Sequence, residues 1–312
     1  MALRMANVLV TGGAGFIGSN LVRALLERGD SVRVLDNFST GYRVNLDGLD
    51  IEIVEGELRS YERVHNAVRG TEVVYHLGAL GSVPRSVQDP LTSNAVNVEG
   101  TLNVLLAARD EGVRRVIFSS SSSVYGLQSD LPVAEELVLD PISPYGVAKL
   151  AAERYAIAFS RIYELFESVV VRYFNVFGPR QSAFSQYAAV IPLFIDAISR
   201  GGPVRIEGDG EQRRDFTYVE NVVDGTLRAA DSAGASGRIF NIAASSPASV
   251  NQLADTIGRI LGKEVERTEA PARAGDIRDS WADVTAAREV LGYEPSVGLE
   301  EGLRRTVEFL GA

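Results

Sequence analysis

The sequence predicts a doubly wound α/β fold, a parallel sheet covered by helices on both faces, followed by a smaller mixed α/β domain. Three observations carry this reading. Short β-branched runs alternate with segments of helical period through the first 175 residues. The first run flows straight into TGGAGFIG (residues 11–18), and a helix follows. An aspartate, Asp36, closes the second run 18 residues past Gly18. Near-continuous apolar strands separated by helices are what a parallel sheet requires, because both of its faces must be covered.

Taken in order, the strand runs are NVLV (7–10), SVRVLD (31–36), IEIVEG (51–56), VVYHLG (73–78), RVIFSS (115–120) and SVVVRYFN (168–175). Helical periodicity is clear in GSNLVRALLERG, in NVEGTLNVLLAARDEG and in SPYGVAKLAAERYAIAFSRIY. In the last of these Ser143 is placed to cap and Pro144 takes the first helical position. Beyond residue 175 the pattern loosens. FGPRQSAFSQYAAVIP is loop-rich, RGGPVRIEGDGEQRRDFTYV reads as strand and turn, and later helices are interrupted by Pro and Gly. We therefore assign 1–174 to a nucleotide-binding domain and 175–312 to a second one, with about 215–245 able to return to the first. There is no repeat, low-complexity tract or Gly/Ser linker, so the two parts should pack closely.

A chain of 312 residues with 46% hydrophobic and 23% charged residues is large enough for two cores. Cysteine is absent and only His65 and His76 are present, which excludes a disulfide framework and a thiolate- or histidine-rich metal centre. A reducing, cytoplasmic setting fits this usage. No apolar run approaches the roughly 20 residues that span a bilayer, and MALRMANVLVTGG has glycines where a signal peptide would be cleaved. A soluble, unprocessed chain with no membrane partner is expected. With 41 acidic and 31 basic residues the net charge is −10, which opposes nucleic-acid binding and points to small-molecule partners held by local arginines or helix ends.

In TGGAGFIG, glycines allow the tight turn and the close approach of backbone to a diphosphate whose charge rests on the helix N-terminus. Gly12, Gly15, Phe16, Ile17 and Gly18 are the candidate contacts. A glycine pattern alone is weak evidence. The strand before it, the helix after it and Asp36, placed to bind an adenosine ribose, make it a dinucleotide site of Rossmann type. Asp36 also repels a 2′-phosphate and no arginine follows it at once, so NAD is expected over NADP.

FSSSSSVYG (118–126) sets five serines at the end of a strand, where ligands bind in a parallel sheet. They read as site, since a buried hydroxyl needs a partner. Tyr145 and Lys149 lie four apart on one helix face, where a nearby ammonium would lower the phenol pKa and make it a usable base or acid.

The chain resembles the extended short-chain dehydrogenase/reductase family, in particular its UDP-hexose 4-epimerases. The resemblance runs through TGGAGFIGSNL, DNFSTG, HLGAL, NVEGTLNVL, SSSSSVYG, SPYGVAK, RYFNVFGPR, GDGEQRRDFTYVENV and ARAGDIRDSWADV, essentially the whole length. It implies that Ser121, Tyr145 and Lys149 form the catalytic set. Asp36 and Asn37 would hold the adenosine ribose with Ser39 and Gly41 beside them, Glu57 and Leu58 would lie near adenine, and Leu77, Gly78, Ala79, Asn97 and Ser119 would line the cofactor. Glu57 departs from the commoner aspartate. For the UDP-sugar it implies Arg214 and Arg273 at the phosphates, Asn175 at the diphosphate or sugar, Ala189, Val190 and the Val204–Ile206 strand beside uridine, and Asp276 at its ribose. Arg180, Arg205 and Arg213 read as solvated or structural.

The implied chemistry is a reversible oxidation. Tyr145, assisted by Ser121, takes the C4 hydroxyl proton while hydride passes to NAD⁺. The 4-keto sugar turns over about its diphosphate link and hydride returns to the opposite face, with Lys149 tuning Tyr145 and gripping the nicotinamide ribose. This demands a firmly held UDP and a loosely held hexose. A 4,6-dehydratase shares the fold but carries an Asp-Glu pair where Ser122 and Ser123 stand, and the decarboxylating branch carries a glutamate there, so elimination lacks its groups. A non-catalytic NAD-binding regulator is opposed by the intact Ser121, Tyr145 and Lys149. The small Ser280 before Trp281 occupies the position of a gate beside the hexose. A small gate admits both UDP-GlcNAc/UDP-GalNAc and UDP-glucuronate; the resemblance of RYFNVFGPRQ…YAAVIP and GDGEQRRDF ranks the first ahead, and UDP-glucuronate, to whose carboxylate Ser122 and Ser123 can donate, comes second because its usual threonine at the Asn175 position is missing, with UDP-glucose a further alternative. By analogy the chain is expected to form a homodimer through helices at about 97–112 and 145–165.

Overall fold

The computed structural model describes residues 6–182, 189–271 and 278–312. In chain order the first part contains β1 (Asn7–Thr11), α1 (Phe16–Glu27), β2 (Ser31–Asp36), β3 (Glu52–Glu55), α2 (Tyr61–Val68), β4 (Val73–His76), α3 (Val83–Gln88), α4 (Pro90–Asn94), α5 (Gly100–Asp110), β5 (Arg115–Ser121), α6 (Pro144–Ile162) and β6 (Glu167–Tyr173). There follow α7 (Val190–Ser199), β7 (Val204–Glu207), β8 (Arg213–Arg214), α8 (Val219–Asp231), β9 (Ile239–Ile242), β10 (Ala248–Ser249), α9 (Val250–Leu261), β11 (Arg267–Ala270), β12 (Asp279–Ser280), α10 (Thr285–Leu291) and α11 (Leu299–Leu310).

The doubly wound sheet has seven strands in the order β3-β2-β1-β4-β5-β6-β9, and every neighbouring pair is parallel. Both faces are buried. Val8 and Val10 pack with Leu21, Leu25 and Val222 on one face, while Leu9 packs with Val64, Val104 and Ala152 on the other. This is why the strands read as apolar runs and not as alternations. The first face continues without a break into Phe194, Val204, Leu253 and Leu303 of the later elements. Beside it, β7 pairs with β11, and β8 lies between β10 and β12. The strand order reverses between β1 and β4, so the carboxyl ends of β1, β2 and β4 open the crevice in which such sheets bind ligands.

Two local readings are refined. Ser143 does cap α6, accepting the Gly146 N–H at 3.1 Å with Pro144 at the first position. The helix read from Asn97 begins earlier, at α4, and passes through a π-helical turn at Ala95–Glu99 before α5. Such bulges re-aim side chains, and this one carries Asn97. No helix among the described residues is long and apolar enough to cross a membrane.

Candidate active site

A cavity of about 740 Å³ runs along those carboxyl ends. Its floor is the glycine turn. Gly12 has φ +71°, and a Cβ there would stand 2.7 Å from the Gly78 Cα; one on Gly18 would stand 2.1 Å from the Gly12 carbonyl oxygen. Only glycine lets the loop after β4 and the first turn of α1 come this close. Gly15 precedes α1 without a side-chain cap, leaving the first N–H groups of the helix for an anion. The crevice therefore fits a dinucleotide: a glycine cradle that side chains would fill, a helix N-terminus and a carboxylate at the end of β2.

Gly12, Gly15, Phe16, Ile17, Gly18, Asp36, Asn37, Ser39 and Gly41 all line this cavity, as do Glu57 and Leu58 at one end and Leu77, Gly78, Ala79 and Ser119 further along. Asp36 has a second task that the sequence did not show. Its Oδ2 accepts the Ala14 N–H at 2.9 Å and its Oδ1 the Phe38 N–H at 2.8 Å, so it fastens the glycine turn it is expected to help. Burial pushes its pKa up and these donors draw it back. Asn97 is buried and is not among the residues lining the cavity; its Oδ1 accepts the Leu80 N–H at 2.8 Å and its Nδ2 donates to the Leu80 carbonyl at 3.2 Å, so it shapes the lining loop.

Ser121 ends β5 and Tyr145 begins α6, and the Ser121 hydroxyl is the side chain that acts on the Tyr145 phenol. Ser121 Oγ also accepts the Ser123 N–H at 3.2 Å and donates to Ser123 Oγ at 3.1 Å. Burial raises the Tyr145 pKa, and the bond with Ser121 lowers it. Lys149, four residues further along α6, reaches the end of β5. Its Nζ donates to the Ser119 carbonyl at 2.7 Å and lies 4.9 Å from the Phe118 ring centre. Burial draws Lys149 down to about 8, while the Glu153 carboxylate pushes it back up.

The serine row divides by face. Ser119 lines the cavity and Ser121 meets Tyr145, whereas Ser120 Oγ donates to Glu153 Oε1 behind the strand. Glu153 and Arg172 form a fully buried bidentate pair at 3.0 and 2.9 Å, and Arg172 also donates to the Tyr125 hydroxyl at 2.9 Å. Tyr125 in turn donates to Asn241 Oδ1 at 2.7 Å, tying the catalytic strand to β9. A second buried set runs from Gly78 N–H to Thr11 Oγ1 at 3.1 Å, then from Thr11 to His76 at 2.7 Å, and from His76 to Thr101 at 3.0 Å. Burial and Lys149 hold His76 neutral, with its pKa near 3. The sequence reading missed both sets. A charged pair on a helix and a strand far apart in the chain leaves no periodic signal.

At the other end, β8 and β12 place Arg214 opposite Ser280. Arg214 Nη1 donates to the carbonyls of Arg213 and Arg278 at 3.0 and 3.1 Å. Asn175 is exposed just past β6, with φ +31°. Ala189 lines the cavity and Val190 opens α7. On β7 the Val204 and Ile206 side chains lie in the core, 1% and 3% exposed, and alternation turns Arg205 outward. Arg273 and Asp276 lie outside the described residues. Arg213 pairs with Asp279 and stacks on Trp281, and Arg180 donates to Asn20 Oδ1 at 2.8 Å, so both are structural. Arg59, Arg85, Gln181 and Ser182 also line the cavity, and no sequence pattern marked them.

A glycine-walled dinucleotide crevice, with Ser121 two residues past the cavity-lining Ser119 and acting on the Tyr145 phenol, defines an enzyme of the short-chain dehydrogenase/reductase kind. Residues 8–243 match the NAD dependent epimerase/dehydratase family. A UDP-glucose 4-epimerase of Mycolicibacterium smegmatis is 40% identical over 307 residues, 96% of this chain and 97% of that protein. The crystal structure of the Thermotoga maritima UDP-glucose 4-epimerase with UDP-glucose superposes with a TM-score of 0.93 at 40% identity, covering 98% of each chain. A UDP-N-acetylglucosamine 4-epimerase from Methanobrevibacter ruminantium M1, in complex with UDP-N-acetylmuramic acid, gives 0.93 at 38% identity, again with 98% of each chain covered. The chain belongs to the NAD dependent epimerase/dehydratase family, with the UDP-sugar 4-epimerases.

Proposed function

We propose that this chain interconverts UDP-sugars epimeric at C4, with a UDP-N-acetylhexosamine as its preferred substrate. The approach of the Ser121 hydroxyl to the Tyr145 phenol, which lowers its pKa, carries the catalytic part. When Tyr145 gives up its proton, the Ser121 O–H turns from Ser123 to donate to the phenolate, so Tyr145 accepts the C4 hydroxyl proton and later returns it. The glycine turn and Asp36 would hold NAD, which would supply reversible hydride acceptance at C4. Lys149 keeps a buried positive charge on Ser119 beside this pair. Ser122 and Ser123 offer neutral hydroxyls where elimination would need carboxylates. Arg214 fits the diphosphate, since a guanidinium matches phosphate oxygens. The purified protein, given UDP-glucose, UDP-GlcNAc and UDP-glucuronate in turn without added cofactor, should form the C4 epimers. A dehydrated or decarboxylated product, or none, would refute the reading.

The substrate preference rests on Ser280, which is small and lies opposite Arg214 in the sheet register. Ser280→Tyr should suppress turnover of UDP-GlcNAc at least tenfold while sparing UDP-glucose, because a clash excludes a ligand more sharply than a lost contact weakens it; the ratio of kcat/KM values measures it. Equal handling of both sugars by the tyrosine variant would remove Ser280 as the gate. UDP-glucuronate stands second because Ser122 and Ser123 can donate to its carboxylate.

Asp36 predicts the cofactor choice. NAD should bind at least tenfold tighter than NADP in titrations by protein fluorescence, and Asp36→Ala should narrow that gap. Comparable affinities in the unmutated protein would contradict the assignment. The same reading includes a second copy of the chain as partner. On α6, Val147, Tyr155 and Ile162 are 54%, 42% and 69% exposed, an apolar surface on one of the two helices the family resemblance points to.

A further inference from the structure

We infer that Asp215 is a positioning residue for the substrate end of the site, holding Arg214 and Ser280 in register without itself meeting a ligand; this rests on the epimerase reading above. Asp215 is fully buried directly after β8. Its N–H donates to the Ser280 carbonyl at 3.0 Å. Its Oδ2 accepts the Ala282 N–H at 3.1 Å and the Ser245 N–H at 3.0 Å, and its Oδ1 accepts the Ala244 N–H at 3.1 Å. One carboxylate thus joins β8, the residues around β12 and the loop after β9.

The strands it joins are two residues long and pair Arg213 with Asp279 and Arg214 with Ser280. So short a ladder does not hold its own register, and a slip of one residue turns each side chain to the opposite face. Ser280 would then no longer stand opposite Arg214, and a neighbour, Asp279 or Trp281, would take its place. Asp215 prevents the slip by bonding on both sides of Trp281, at the Ser280 carbonyl and the Ala282 N–H. The loop it binds is itself constrained. Ser245 has φ +52°, a left-handed conformation rare for a side chain-bearing residue, and it persists because its N–H is held by Asp215 and its Oγ donates to the Ala282 carbonyl at 2.8 Å. Three N–H donors converge on this group, so it must be acceptor-only. Aspartate meets that requirement and an amide does not.

Asp215→Asn keeps the shape and sets an N–H against N–H donors. UDP affinity should be measured by titration calorimetry, NAD binding by fluorescence, and kcat and KM on UDP-glucose and UDP-GlcNAc. UDP affinity should fall about tenfold, with KM rising in parallel, as expected when a binding group is misplaced by about 1 Å. NAD affinity should stay within twofold, and the UDP-GlcNAc to UDP-glucose kcat/KM ratio should change severalfold. Ser245→Gly, which relieves the backbone conformation and deletes the bond to Ala282, is the second variant should the first not fold; it should weaken UDP binding severalfold. A lowered melting temperature with unchanged UDP affinity, KM and selectivity overturns the inference, as does unchanged UDP affinity in Ser245→Gly. UDP affinity is read without turnover. A parent protein that binds UDP but epimerises no sugar therefore overturns the epimerase reading and still decides the role of Asp215.

Discussion

Tyr145→Phe should lower kcat by at least about 10²-fold while leaving the fold and NAD affinity near those of the parent. The hydroxyl is the group that exchanges a proton with the sugar, and its partner in the structure is the Ser121 side chain. What anchors the residue is retained in phenylalanine: the backbone N–H donates to Ser86 Oγ at 3.0 Å, and the ring keeps its place in the first turn of α6. Single-turnover reduction of bound cofactor and steady-state epimerisation both read the effect, and epimerisation at near-parental rate would sink the mechanism. The pH profile supplies a second check. Lys149 is drawn down to about 8 by burial, so it loses its charge as pH rises through that value. The rate should fall above about pH 8, because an ammonium beside the phenol favours the deprotonated base and a neutral amine does not. Glu153 pushes Lys149 up, so weakening that carboxylate should move the alkaline limb to lower pH.

The largest stability effect is expected at Glu153 and Arg172. Both are fully buried, and each is satisfied by the other and by Ser120, Tyr125 and the Glu135 carbonyl. Glu153→Ala leaves the guanidinium charged without its partner, at a cost of about 3–5 kcal/mol in the urea unfolding free energy. Replacing both partners, Glu153→Leu with Arg172→Met, should recover much of that loss, because the desolvation of two charges is removed together with their attraction. A single-variant loss below about 1 kcal/mol would show that the pair is not held as the structure describes it.

Several parts of this protein were legible residue by residue. The glycine turn at 11–18 declared itself because φ +71° at Gly12 is rare for other residues and a Cβ there would meet Gly78. The strands declared themselves because a sheet buried on both faces must be apolar in both directions. Tyr145 and Lys149 were paired by helical spacing alone. Other features were not legible, for reasons that are equally physical. Nothing in the sequence showed that the Val204 and Ile206 side chains pack into the core. Nor did it show that Asn97, in a π-helical turn, is tied to Leu80.

The amino-acid sequence by itself determined the elements, their parallel arrangement and the chemical groups available, since these follow from local periods of two and 3.6 residues and from the conformational limits of glycine and proline. The tertiary structure decided which serine of the row serves the site and which the core, that Lys149 rests on Ser119, and that Asp36 and Asp215 are fasteners as well as carboxylates. Those outcomes depend on groups brought together from segments 22 to 67 residues apart, such as the Ala14 N–H with Asp36, the Ser119 carbonyl with Lys149 and the Ala282 N–H with Asp215, and no local pattern encodes where a backbone group without a side-chain signature will arrive.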